Sequence, residues 1–463
     1  MKKLGILSFV NHIPLNLDIN SILKKAEKLD IDYICSQGTG MDFGPYMLGS
    51  GKQFNVANFK NNVRPYIKFA LKKKIKFIFS VGIAGGDSQL EECVNAINEL
   101  AFEDNYKLKI AKISGEVSKT KLKSLINKGY KIKPAVKTKF LKNNIGINDI
   151  DESEHIVSQM GPEPIIEALN DDIDGIITGR ALDIGLYMAP CMFHKFDKGL
   201  SAHLGKVLEC AGLALTPGDP SEPIYGEISV DSIKVHSIGK KQKATIRSIS
   251  SHSMYERDNP YMEKNPGGYL DIASAKYTQF NKNTVVATGA KWIEEPYTLK
   301  LEGAKIKGYR TISIFGIREP NFIDVLDDFI KQIRNNVKKS DQFKKYKDQK
   351  DYFISFDQYG KNGVYSNLEP QLSVKPNEIG LLVDVIASDQ NLSENLAYYI
   401  CMELWIKPYK NRLTTAGNCA TRFAPPTISV GPAYHFNIWH LLSIDDPLYL
   451  FKKQIMNIPY EKN

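Results

Sequence analysis

Five glycines, one acid, one tyrosine and one lysine fall within residues 38–52, GTGMDFGPYMLGSGK. Glycines at that density free backbone N–H groups to cradle an anion such as a carboxylate or phosphate. Asp42, Tyr46, Gly49, Gly51 and Lys52 are the candidate binding residues of this loop. Its end, Gly49-Ser50-Gly51-Lys52, is similar to part of a phosphate-binding loop. The full pattern, GxxxxGK followed by Ser or Thr, fails because Gln53 follows Lys52, which argues against a P-loop NTPase. The alternative is a long ordered surface loop whose glycines supply positive φ.

Three more loops combine charge with small residues. Gly85-Gly86-Asp87-Ser88 precedes a helical stretch whose first N–H groups suit an anion, or else Asp87 is that helix's N-cap. In Thr178-Gly179-Arg180, with Asp183 nearby, the guanidinium can hold a carboxylate or phosphate in two-point fashion, or Arg180 and Asp183 form an internal ion pair. Glu116, just past another apolar run, is a candidate general base or part of a surface turn. His203, Lys206 and Cys210 fall at i, i+3, i+7 and share one helix face, though a histidine there also suits a packed core. His252, Tyr255 and Glu256 lie in a polar, turn-forming stretch able to reach into a cleft. The strings at 414–418 and 431–434 read as packing turns.

Taken together, the catalytic candidates are Asp87, Glu116, His203 and His252. The substrate-binding candidates are Asp42, Tyr46, Gly49, Gly51, Lys52, Gly85, Gly86, Thr178, Arg180, Asp183, Lys206 and Tyr255. This is an acid–base set beside anion-holding groups. No GxGxxG follows a strand, so no nucleotide cofactor is expected, and no metal ligand set appears.

Such loops need a scaffold that gathers strand ends. Residues 1–215 alternate short apolar β-rich runs with amphipathic stretches, the mark of βαβ units and a largely parallel sheet. Strands are expected at 3–10, 31–35, 75–81, 108–113 and 173–177, and helices at 19–29, 56–74, 88–102, 154–169 and 201–215. The loops then follow Cys35, Val81, Ile113 and Ile177, where ligands bind in open α/β sheets, and read as one composite crevice. After the breakers Pro217, Gly218, Pro220 and Pro223, residues 216–337 read as a β-rich second domain ending in a helix at 321–337. Residues 338–463 read as a charged, solvated linker, then a strand at 380–387, a helix at 393–404 and an irregular tail. The fold class is α/β, with a second, β-rich α+β domain.

At 463 residues the chain exceeds one hydrophobic core. Its apolar runs fall short of the roughly 20 residues of a membrane helix, and Asn11, His12 and Asp18 interrupt any leader-like opening. The six cysteines show no CxxC and no histidine at metal spacing, in keeping with a reducing, cytoplasmic setting. Lysines are spread along the chain, so its charge of +9 marks no nucleic-acid module and offers anionic metabolites a weak attraction.

In order, DFGPYMLGSGK, AGGD, QMGPEPIIEAL, TGRALD, HLGKVLEC, SHSMYE with the NPGG that follows it, KLEGAKIKGYRTISIFGIR and TTAGN resemble strings of the acyclic terpene utilisation (AtuA) family. The resemblance spans about residues 42–440. It implies a role in the breakdown of acyclic terpenes such as citronellol and geraniol, in bacterial routes that also touch branched acyl-CoA catabolism. The expectation is a hydratase/dehydratase (lyase) or isomerase acting on a branched or unsaturated carboxylic acid or acyl-CoA, with coenzyme A present only as part of the substrate. The alternatives are a non-catalytic acyl-CoA-binding or scaffolding subunit, and a nucleotide-dependent ligase using residues 49–52. The resemblance also implies an oligomer with a small companion protein.

Overall fold

The computed structural model describes residues 2–14, 18–53, 55–239, 241–371, 373, 375–413 and 415–459; Thr414 of the TTAGN string lies outside them. The chain forms two compact units, 1–305 with 436–463, and 306–435. Among the described residues no helix is long and apolar enough to cross a membrane.

The apolar runs of the N-terminal region become the centre of one sheet. Five strands, β1 (Leu4–Val10), β2 (Tyr33–Gln37), β3 (Lys76–Ser80), β4 (Leu108–Ile113) and β5 (Gly175–Thr178), lie parallel in the order β1-β2-β3-β5-β4. All seven residues of β1 are buried, as expected of a parallel strand covered on both faces. Successive side chains divide between those faces. Ile6 joins the cluster containing helices Gly185–Phe193 and Lys198–Leu208, and Leu7 joins the one containing helices Val56–Lys73 and Asp87–Glu103.

Antiparallel strands complete both edges. On the β1 side lie β6 (Ile224–Ile228), β7 (Ile233–Ser237), β8 (Lys276–Asn281) and β9 (Thr284–Thr288), and on the β4 side β10 (Lys453–Ile458), giving the order β8-β9-β7-β6-β1-β2-β3-β5-β4-β10. Residues 216–305 fall in the first compact unit because β6 pairs with β1 from Leu4↔Ile228 to Ser8↔Ile224. The unit 306–435 is α+β. Helices Pro320–Lys339 and Gln390–Ile406 share a core with the antiparallel strands Tyr352–Tyr359 and Ile379–Ala387 and with residues 309–317. Pro320 opens its helix at the first position, where a missing N–H costs nothing, and Glu319 caps the N–H groups of Asn321 and Phe322.

Several local expectations change. The helix expected at 154–169 is a strand, His155–Ser158, followed after Gly161-Pro162 by a helix, Glu163–Leu169. The run His155–Ser158 pairs antiparallel with 301–304, and tertiary pairing outweighs helical spacing there. The helix expected at 201–215 runs Lys198–Leu208, and Ala211 at φ 47° turns the chain into a 3-10 stretch. The Gly-rich loop contains a short helix, Pro45–Ser50, the stretch around His252 is the helix Ile246–Met254, and the tail includes a strand, Ile428–Ser443.

Candidate functional site

The carboxyl ends of β1, β2, β3 and β5 are packed tightly. Gly38 N donates to Ser80 Oγ at 3.0 Å, and Asn11 Nδ2 donates to Ser80 O at 2.8 Å. Arg180 N donates to Gly85 O, and Gly179 N to Ile113 O, each at 2.9 Å. Beyond these ends opens a cavity of about 580 Å³. Val10, Ile13, Met41, Phe43, Ile83 and Trp439 give it an apolar side, while Asp42, Asp183, Arg180, Lys300, Glu302 and Glu209 supply charge.

The charge is organised around Glu302, whose side chain is 0% exposed. It accepts from Arg180 Nε at 2.8 Å and Gln159 Nε2 at 3.0 Å, and Lys300 Nζ lies 3.1 Å away. Burial alone would raise its pKa, but the two cations outweigh burial and hold the carboxyl below the usual range. Arg180 also donates through Nη1 to Thr39 O at 3.0 Å and to Asp183 Oδ1 at 3.2 Å. Of the two sequence readings of Arg180, the internal ion pair is present, with Glu302 as a second partner. Lys300 is pushed down by burial, with Arg180 adding repulsion against the pull of Glu302. Its ammonium sits 3.6 Å above the Trp439 ring, a favourable cation–π placement.

At another part of the wall Glu209 Oε1 accepts from Lys206 Nζ at 2.6 Å, and Lys206, itself outside this lining, lies 4.2 Å over the Tyr255 ring. Burial raises Glu209 against the pull of Lys206. Cys210 Sγ and Tyr255 Oη are 3.0 Å apart. His12 also lines the cavity, pushed down by burial against the opposing charges of Asp42 and Asp183.

The four loops therefore do not form one crevice. Asp42, Arg180, Asp183 and Tyr255 line the cavity, and Lys206 lines an adjoining one that shares Asp183, Glu209, Glu256 and Lys300 with it. Asp87 and Glu116 meet instead around His155. Glu116 Oε1 is 2.7 Å from His155 Nδ1, Asp87 N donates to Glu116 Oε2 at 2.8 Å, and Ser114 Oγ donates to Asp87. Gly51 and Gly86 border this group, each so close that a Cβ would touch His155 or Glu116. Gly85 packs against the Arg180 backbone, and Thr178 is buried at the end of β5.

Gly49 and Lys52 bracket the end of the helix Pro45–Ser50, with Gly51 in the left-handed cap. The dipole there presents its negative end, the reverse of a phosphate loop. Tyr46 lies on the same short helix and outside the cavity lining. His203 and Lys206 share a helix but not an environment. His203 is fully buried, within hydrogen-bond distance of Ser253 and Tyr277, and burial pushes it down to about 3. His252 stands behind Tyr255, with ring centres 4.7 Å apart.

Sequence reading missed Lys300, Glu302, His12 and His155. Lys300 and Glu302 carried a signal, since they alternate with the apolar Leu299 and Leu301 along a strand and so share a face. His12 sits two residues past the end of β1, which is the position the strand-end rule favours. His155 carried no local signal.

The Glu116–His155 pair makes a pH prediction. Burial would raise Glu116, but the His155 hydrogen bond and the Asp87 N–H lower it below 4.5, so its stabilisation is present above 4.5 and lost as pH falls through the lowered value. The Glu116 hydrogen bond raises His155 above 6.5, so its stabilisation is present below 6.5 and lost as pH rises through the raised value. The difference in denaturation midpoint between the wild type and His155→Gln is expected to be largest between about pH 4.5 and 6.5. A difference independent of pH would show that the pair carries no charge.

No curated protein and no solved structure matches the chain. A family model described as acyclic terpene utilisation family protein AtuA matches residues 25–435. Since that is most of the 463 residues, the chain belongs to the acyclic terpene utilisation (AtuA) family.

Proposed function

We propose that the cavity binds a branched or unsaturated carboxylic acid, or its coenzyme A ester, and catalyses hydration/dehydration or isomerisation within acyclic terpene breakdown. The observation that carries this reading is that one cavity at strand ends is lined both by apolar residues (Ile13, Met41, Phe43, Ile83) and by a carboxylate–ammonium set (Asp183, Lys300). A branched hydrocarbon skeleton suits the first and its acyl group the second. The acid–base role moves here from Asp87, Glu116, His203 and His252, none of which lines the cavity.

Asp183 is 39% exposed and accepts from Arg180 and Gln37 at Oδ1. In this reading Oδ2 is the base that removes a proton from carbon or from water. Glu302 and Trp439 hold the Lys300 ammonium, and its remaining N–H groups bind the acyl or carboxylate oxygen where negative charge builds up. Its lowered pKa also suits it to return a proton.

Turnover of branched unsaturated acids and their coenzyme A esters is the test, run with and without the small companion protein that belongs to the proposal. Asp183→Asn is expected to lower kcat/KM by about 10²–10⁴. Tight binding of an ester without turnover would make the chain an acyl-CoA-binding subunit. ATP-dependent product formation would make it a ligase.

A further inference from the structure

We infer that Glu209, Cys210 and His252 form a binding site for one divalent cation of the zinc class, on the wall of the cavity. The carboxylate, thiol and imidazole each offer a ligand atom, and these atoms lie within 4.8 Å of one another. A tetrahedral zinc ion, with bonds of about 2.0–2.3 Å, sets its ligand atoms roughly 3.3–3.8 Å apart, so small side-chain rotations suffice to close the set. Glu209 is 4% exposed and His252 9%. The His252 Nε2 atom is buried and has no hydrogen-bond partner, which in a folded interior calls for a ligand, ion or water.

The backbone holds these groups in place. Glu209 and Cys210 directly follow the helix Lys198–Leu208, and Ala211 at φ 47° turns the chain away immediately after them. His252 comes from the last turn of the helix Ile246–Met254, whose Thr245 side chain caps the N–H of Ser248 at 3.0 Å. A mixed O, S, N set favours zinc-class ions over magnesium or calcium, which take oxygen ligands. Three protein ligands leave the fourth position open, and because Glu209 and Cys210 line the cavity, that position falls to water or substrate.

Two neighbours shape the site from outside. Tyr255 Oη, 3.0 Å from Cys210 Sγ, orients the sulfur as an outer-sphere partner does. Lys206 engages Glu209 through Oε1, which leaves Oε2 for the ion, and its charge is the cost the site must meet. The inference is independent of the reaction proposed above, since a cation can sit here whether the cavity turns over its ligand or only binds it.

The test uses the full chain, stripped with a chelator and titrated with Zn²⁺ and then with Co²⁺. One equivalent of Zn²⁺ is expected to bind, and the Co²⁺ form should show a thiolate-to-metal charge-transfer band that Cys210→Ser abolishes. His252→Ala should weaken Zn²⁺ binding at least about 100-fold, since loss of even an outer-sphere partner costs 10–100-fold. Failure of the wild type to take up stoichiometric metal overturns the site. So does a cobalt band that survives in Cys210→Ser. The wild-type cobalt spectrum needs no variant, so the lack of a thiolate band in it overturns the site even if a substituted chain misfolds.

Discussion

Replacing Glu302 by alanine is expected to destabilise the unit that carries it by about 3–5 kcal/mol, the penalty of leaving a buried charge without its partner. Glu302 is fully buried and is approached by Arg180 at 2.8 Å and Lys300 at 3.1 Å. Without it, Arg180 keeps only Asp183 as an anionic partner among the described residues, at 3.2 Å. A double variant that also replaces Arg180 by methionine should recover much of the loss, because the orphaned cation rather than the missing attraction dominates the cost. Chemical denaturation of the three proteins measures both effects. If Glu302→Ala loses less than about 1 kcal/mol, water has reached Arg180 and the triad is not sealed.

Gly85→Ala is expected to be the most damaging small change in the strand-end loops. Gly85 has φ 70°, and a Cβ there would lie 2.2 Å from Arg180 N and 2.6 Å from Arg180 Cα. The left-handed conformation costs an alanine about 1–2 kcal/mol. The clash adds about 1–3 kcal/mol, because the obstructing atoms are backbone and cannot rotate aside. Arg180 must move to make room, so ligand binding in the cavity should weaken along with stability. Gly129 makes the control, with φ 88° and nothing within 4 Å of its would-be Cβ. Gly129→Ala should show only the conformational cost. Equal losses at the two positions in thermal or chemical denaturation would mean that the close approach of Gly85 to Arg180 has no consequence.

Much of the scaffold is legible because its period is local. The buried runs around Ile6, Ile78, Ile110 and Ile176 announce covered parallel strands without reference to partners, and the charged loops follow them at the expected ends. Elements whose conformation is decided by distant chain are less legible. Ile156-Val157 reads as helix until 301–304 is brought alongside it, and Pro432 within Ile428–Ser443 hides a long strand from any reading that treats proline as a breaker.

The candidate site divides the same way. Arg180 and Asp183 are three residues apart, and their pairing was one of two readings open from spacing alone. Arg180 with Glu302, Glu116 with His155, and Cys210 with His252 join residues far apart in the chain. By itself, then, the sequence determined an alternating α/β scaffold with Gly- and acid-rich loops at the ends of its strands, and membership of the AtuA family. The tertiary structure alone decided that Asp87 and Glu116 belong with His155 while Asp183 belongs with Lys300 and Glu302. The physical reason is that side-chain period and turn chemistry act over a few residues, whereas strand order and crossing backbones set which loops meet.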